Sequence, residues 1–215
     1  MSRASLKVTI LAVLAACQVQ TPKYPSPEQM AQRAKAATVG LAVICPDGNV
    51  QMGSGTITRP NRIVTAAHVL ECDAGDPAQV IVEYLDDQGK PTQVLATGYK
   101  QLQRDGQPID AAVVTVAEFL PNPVKEASVN PVDGAEVCLA AYLPNRLWAC
   151  TAVEETENYE AQVAQAVYPG NSGGGAYNDA GELIGVIVQS TPCRNQRGTV
   201  EICGGVVLVL VGATD

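Results

Sequence analysis

From Thr38 onward the chain reads as short runs of apolar, largely β-branched residues separated by polar, glycine- and proline-rich breaks. Branched side chains favour the extended backbone over short helices, so these runs predict strands. The first set is Val39–Cys45, Gly53–Thr58, Arg62–Thr65, Gln79–Leu85, Thr92–Tyr99 and Ala111–Val116. The second is Glu136–Tyr142, Leu147–Val153, Tyr159–Val167, Gly174–Tyr177, Leu183–Gln189 and Gly205–Val211. Breaks such as Pro46-Asp47-Gly48-Asn49, Asp86-Asp87-Gln88-Gly89, Pro144-Asn145 and Asn178-Asp179-Ala180-Gly181 carry turn chemistry. This spacing predicts an all-β sandwich or barrel, and the Pro121–Pro131 stretch divides the strands six and six.

The front of the chain follows a different pattern. Arg3 and Lys7 precede an uncharged run, Val8 to Ala16, too short for a permanent membrane span. It reads as a secretory leader, residues 1–16. Leu14-Ala15-Ala16-Cys17 resembles the lipobox of bacterial lipoproteins, which implies lipidation of Cys17, a membrane anchor and a place in the cell envelope. Gln18 rather than Asp after that cysteine resembles outer-membrane sorting where two membranes exist. The alternative is an ordinary leader with an incidental cysteine, which gives a secreted protein. Residues 17–37 read as an extended tether and a short helix, with Ser26 as N-cap and Pro27 in the first turn. Residues 38–215 form the folded domain, its halves at 38–120 and 132–211.

Composition narrows the function. Of 215 residues, 47% are hydrophobic and 17% charged, which excludes a disordered chain. A net charge of −8 without a basic cluster argues against nucleic acid as a partner. Seven cysteines become six if Cys17 is lipidated, and an even count behind an export signal suggests disulfides. Nearest-neighbour pairing, one of 15 possibilities, would join Cys45 to Cys72, Cys138 to Cys150 and Cys193 to Cys203. With one histidine and no Cys-x-x-Cys pair, no metal site is expected.

Gly170-Asn171-Ser172-Gly173-Gly174 places a serine between glycines, which tolerate a strained turn and let a substrate approach. A serine hydroxyl needs a base, and the only imidazole is His68, after Thr65-Ala66-Ala67. The base in turn needs a carboxylate to set its tautomer. Asp110, at the end of the polar segment Arg104–Pro108 and the mouth of an apolar run, is the candidate; Asp105 and Asp133 are alternatives. Such a triad needs no cofactor. The order His, Asp, Ser excludes the α/β-hydrolase arrangement, in which histidine comes last, and fits the chymotrypsin arrangement.

With these residues in place, the chain resembles a chymotrypsin-fold (trypsin-like) serine protease, most of all the bacterial high-temperature-requirement branch. The resemblance covers roughly residues 38–211. Its motifs are Gly53-Ser54-Gly55, Thr65-Ala66-Ala67-His68, Asp110-Ala111-Ala112-Val113, Gly170-Asn171-Ser172-Gly173-Gly174 and Gly185-Val186-Ile187. It implies two six-stranded antiparallel β-barrels with the site between them and a peptide or protein substrate. The oxyanion hole would be the N–H groups of Gly170 and Ser172. Ala166 would floor an uncharged pocket, implying a small or apolar residue before the scissile bond. Val188, Gln189 and Ser190 would pair with the substrate backbone, and Gly204 and Gly205 would line the pocket wall. Asn171 stands where digestive members carry the Asp that pairs with a newly cut N-terminus, so no such activation is expected. Gly175 replaces a usual proline without evident consequence, and there is no room for a PDZ domain. Two other readings stay open: a catalytically silent binding module of the envelope, and an esterase.

Overall fold

The computed structural model describes residues 25–143, 146–194, 199–210 and 213, without the side chains of 193 and 194. The expected leader and Cys17 lie outside these residues.

Helix α1, Pro27–Ala37, begins at a reciprocal cap. The Ser26 hydroxyl accepts from the Gln29 N–H at 3.2 Å, and the Gln29 side chain accepts from the Ser26 N–H at 3.0 Å. The helix runs directly into the first strand.

Twelve strands follow, one for each predicted run. β1 (Thr38–Ile44), β2 (Val50–Arg59), β3 (Arg62–Thr65), β4 (Gln79–Leu85), β5 (Pro91–Arg104) and β6 (Gln107–Val116) close into one antiparallel barrel in the order β1-β2-β3-β6-β5-β4. β7 (Glu136–Ala140), β8 (Trp148–Glu157), β9 (Glu160–Val163), β10 (Gly175–Tyr177), β11 (Leu183–Arg194) and β12 (Val200–Val209) close into a second, in the order β10-β11-β12-β9-β8-β7. Closure gives every strand a hydrogen-bonded neighbour on both sides, although the longer strands extend past their partners.

The apolar runs look continuous because several strands bury both faces. Along β6, Ala112, Val114 and Val116 point into the first barrel with Leu41, Ile57 and Val82, while Ala111 and Val113 point into the seam between barrels. The period of two is present, but both of its phases are apolar. The seam also holds Val64, Ala140, Tyr177, Leu183 and Val186, together with Ala34 and Ala37 of α1. The second barrel fills with Leu139, Val153, Val163, Ile187 and Val207.

Between barrels the connection alternates its partners. The Leu120 and Val124 N–H groups donate to Pro60 and Ile57 of the first barrel, while Ala127 N–H and Lys125 C=O bond Leu183 of the second. Arg62 of β3 reaches Glu126 on this segment at 2.5 Å.

Two expectations need correction. The polar segment Arg104–Pro108 is not a loop, because only Asp105 and Gly106 turn, with φ of 52° and 76°. This two-residue hairpin turn leaves Gln103 paired with Pro108, so the strands run on and Asp110 sits inside β6. The run Tyr159–Val167 leaves the sheet after Val163. Val167 then packs under Gly205, where any side chain on that glycine would strike it at 2.8 Å.

Candidate active site

His68 lies in a short 3₁₀ turn, Ala67–Leu70, directly after β3. Ala67, Val69 and Leu70 are buried in the first barrel, while 38% of the His68 side chain is exposed. β3 pairs with β6 through Thr65 and Ala112, so Asp110, two residues upstream on β6, arrives beside the turn. Its Oδ1 accepts from the His68 backbone N–H at 2.9 Å, and its Oδ2 lies 2.8 Å from Nδ1. A carboxylate there keeps the imidazole proton on Nδ1 and leaves the lone pair of Nε2 able to accept a proton. The His68 pKa is raised above 6.5, chiefly by this hydrogen bond; burial opposes the rise, and the charges of Asp110 and Glu71 add to it. Asp105 sits at the hairpin tip and Asp133 on the exposed inter-barrel segment, so of the three candidates Asp110 is the one beside His68.

Ser172 lies between β9 and β10 of the second barrel, yet its main chain is tied to the first. Its carbonyl accepts from the Ser54 N–H at 2.7 Å. Gly173 has φ 81°, and a side chain there would overlap the Ser54 carbonyl and the Thr65 hydroxyl. A side chain on Gly53 would meet Val69 at 2.5 Å and the Ser172 carbonyl at 3.2 Å. These close approaches seat the serine loop against the turn that carries His68. On the other side, Gly173 N–H donates to Ile187 at 2.7 Å, and Ile187 N–H returns a bond to Gly174 at 2.8 Å. Among the described residues, no protein acceptor takes the N–H of Gly170 or Ser172.

β11 pairs with β12 through Gln189–Val206 and Ser190–Gly205, but its pairing with β10 starts only at Val186. The segment Val188–Ser190 therefore offers one open edge toward the serine loop. Ser190 Oγ donates to the Val167 carbonyl at 2.8 Å, which draws the Ala166–Val167 segment to this edge. Gly204 and Gly205 serve close packing here: a side chain on Gly204 would meet the Val163 carbonyl at 2.5 Å.

The nearest-neighbour disulfides Cys45–Cys72 and Cys138–Cys150 are present. Cys203 is also disulfide-bonded, whereas the side chain of its expected partner Cys193 lies outside the described residues.

Gly175 does have a consequence. A side chain on it would come within 2.7 Å of the Tyr177 hydroxyl, which sits fully buried in the seam near the Thr56 hydroxyl at 3.4 Å. Sequence reasoning quoted Ser54 only as part of a motif and gave it no role. The signal was a lone hydroxyl between two glycines, and its partners lie 88 and 116 positions away.

Comparison with known proteins agrees with this architecture. No curated protein matches the chain. Among solved structures, it is similar to the active form of the Rv3671c protease from M. tuberculosis, at 20% identity and a TM-score of 0.62, covering 99% of this chain and 96% of that one. It is similar to the serine endoprotease from Yersinia pestis at 22% identity and a TM-score of 0.62, over 86% of this chain and 63% of that one. The HtrA-type protease AlgW gives 22% identity and a TM-score of 0.61, over 86% of this chain and 60% of that one. Residues 53–186 match the family model of the trypsin-like peptidase domain, and with more than half of its length so matched the chain belongs to the trypsin-like peptidases, which makes it a serine endopeptidase.

Proposed function

We propose that this endopeptidase cleaves peptide bonds through Ser172, His68 and Asp110, by way of an acyl-enzyme, outside the cytoplasm. The observation that carries the reading is the two-point hold of Asp110 on His68 beside the glycine-flanked Ser172 loop. In this scheme Ser172 Oγ attacks the substrate carbonyl while His68 Nε2 takes its proton. The carbonyl oxygen becomes an anion held by the N–H groups of Gly170 and Ser172. Its collapse breaks the C–N bond, and His68 returns the proton to the leaving amine. Water, deprotonated by His68, then attacks the ester and frees Ser172.

The residue before the scissile bond is small or apolar. Ala166 brings no charge to the pocket, and a buried cation would need a partner. The open edge at Val188, Gln189 and Ser190 supports backbone pairing with that side of the substrate. Export rests on the leader pattern, and the disulfides fit an oxidising compartment. Lipidation of Cys17 would hold the enzyme at a membrane, the outer one where two exist.

The test is fluorophosphonate labelling of the wild-type protein beside Ser172→Ala. Labelling that disappears in the variant supports an activated Ser172. A folded wild-type protein that does not label turns the reading toward a catalytically silent binding role.

A further inference from the structure

Trypsin-like sites depend on a loop that presents two N–H groups and no carbonyl to the reacting oxygen. Here that loop is residues 168–173, and something must fix its peptide planes. Two buried neutral side chains carry the bonds that do so.

Ser54, on β2 of the first barrel, is fully buried. Its Oγ donates to the Gly170 carbonyl at 2.7 Å and accepts from the N–H groups of Tyr142 at 3.0 Å and Leu143 at 3.3 Å. Its N–H donates to the Ser172 carbonyl, and its carbonyl accepts from the Thr65 hydroxyl at 2.7 Å. The hydroxyl's one donor and two acceptor positions are all used. Asn171, 3% exposed, answers from inside the loop. Its Oδ1 accepts from the Tyr168 N–H at 2.8 Å, and its Nδ2 donates to the Leu143 carbonyl at 2.5 Å. The Asn171 N–H donates to the Tyr168 carbonyl, and the Asn171 carbonyl accepts from Gly174.

Both side chains therefore grip the same Tyr142–Leu143 turn and the same loop. The carbonyls of Tyr168, Gly170, Asn171 and Ser172 are all occupied by donors. With those carbonyls held, the N–H groups of Gly170 and Ser172 are left for an anion.

We propose that Ser54 and Asn171 form a neutral hydrogen-bonded clamp that assembles the oxyanion loop in the uncleaved chain, without a charged partner. They are positioning residues: neither is placed on the substrate, and both act through the main chain of the loop. The proposal rests on the serine-protease reading of Ser172 above. It adds that the loop's order does not depend on the charge of either clamp residue, since neither ionises.

The experiment uses two variants, each measured for kcat, KM and rate of fluorophosphonate labelling, with a melting curve to confirm folding. Ser54→Ala leaves two N–H groups and one carbonyl unpaired in a buried place. Expected is a loss of about tenfold to a hundredfold in kcat and labelling rate, with KM nearly unchanged and the acid limb of the pH profile unmoved. Asn171→Asp places a carboxyl in the same pocket. Protonated, it donates to the Leu143 carbonyl as the amide does; ionised, it presents an acceptor to an acceptor. The titratable residues on the segments that its side chain bonds are Tyr168 in the loop and Tyr142 in the turn, and the Tyr142 hydroxyl bonds Glu83 and Arg146. An added carboxylate also moves the imidazole titration, so each rate is first divided by the neutral fraction of His68, the single histidine, measured by NMR in that protein, and the ratio of variant to wild type is then taken. That ratio should be about a tenth or less near pH 9 and recover toward about pH 6.

A Ser54→Ala protein that labels at the wild-type rate, or a ratio for Asn171→Asp that stays constant with pH, overturns the clamp and leaves the triad reading standing. A folded wild-type protein that does not label overturns both. If Ser54→Ala does not fold, the pH ratio of Asn171→Asp decides alone.

Discussion

Asp110 holds His68 at two points, with Oδ1 on the backbone N–H at 2.9 Å and Oδ2 beside Nδ1 at 2.8 Å. The first contact anchors the main chain of the 3₁₀ turn to β6. The second sets which imidazole nitrogen carries the proton. One carboxylate thus couples the position of the imidazole to its tautomer, and the two contacts separate by mutation. In Asp110→Asn the amide oxygen keeps the backbone bond and the NH2 group faces Nδ1, which forces the proton onto Nε2. Expected is a fall in kcat of roughly a thousandfold to ten-thousandfold, with the melting temperature little changed. Wild-type turnover in that variant would remove Asp110 from the mechanism.

The same contact sets a pH dependence. The His68 pKa is raised above 6.5, so hydrolysis should rise with pH through a midpoint above that value. The stability linked to this group runs the other way. The protonated imidazole is favoured in the folded state, so its contribution is complete below the unfolded value and is lost as pH rises through the folded one. A pH–rate profile and urea midpoints on either side of that window check both signs. In Asp110→Asn the acid limb should move down.

Tyr177 predicts a second window, at alkaline pH. Burial raises its phenol from 10.0 to about 12, against smaller opposing effects of hydrogen bonds to Thr56 and Thr38. The unfolded phenol ionises first, so stability should fall as pH rises from about 10 to about 12, by a total of about 2–3 kcal/mol. Denaturant titrations of wild type and Tyr177→Phe measure it, and the variant should lack that part of the alkaline loss.

The Cys45–Cys72 bridge ties the end of β1 to the segment just past the His68 turn, across 27 residues of chain. Loop-closure entropy suggests that Cys45→Ser with Cys72→Ser costs about 3–4 kcal/mol. Because the bridge borders the turn, kcat should fall as well. Cys138–Cys150 joins residues already paired across the β7–β8 hairpin, so its removal should lower stability with less effect on turnover. Calorimetry and amide hydrolysis on the two double variants separate these outcomes.

The twelve strands of the described residues were visible along the chain, because β-branched runs and turn residues act locally. Strand ends were less visible. β5 and β6 continue past their apolar cores, since two residues suffice to turn and an exposed hairpin tip keeps polar residues in register. The pairs Cys45–Cys72 and Cys138–Cys150 followed from proximity in sequence, which for Cys138–Cys150 matched pairing across adjacent strands and for Cys45–Cys72 the approach of the end of β1 to the segment after the 3₁₀ turn.

For the site, residue type and order made His68, Asp110 and Ser172 the candidates, with Asp105 and Asp133 as alternatives to Asp110, because few side chains perform acyl transfer and glycines mark where a nucleophile is exposed. Only the β3–β6 register shows that Asp110, rather than Asp105 or Asp133, lies beside His68. Ser54 and Gly175 could not be read at all. A serine's role depends on which donors and acceptors reach it, and those of the Ser54 hydroxyl come from segments of the other barrel. The local chain writes its elements and its reactive groups, since both depend on neighbouring residues and intrinsic chemistry. The tertiary structure alone decides which buried polar atoms satisfy one another across the seam, because that depends on distances between segments far apart in the chain.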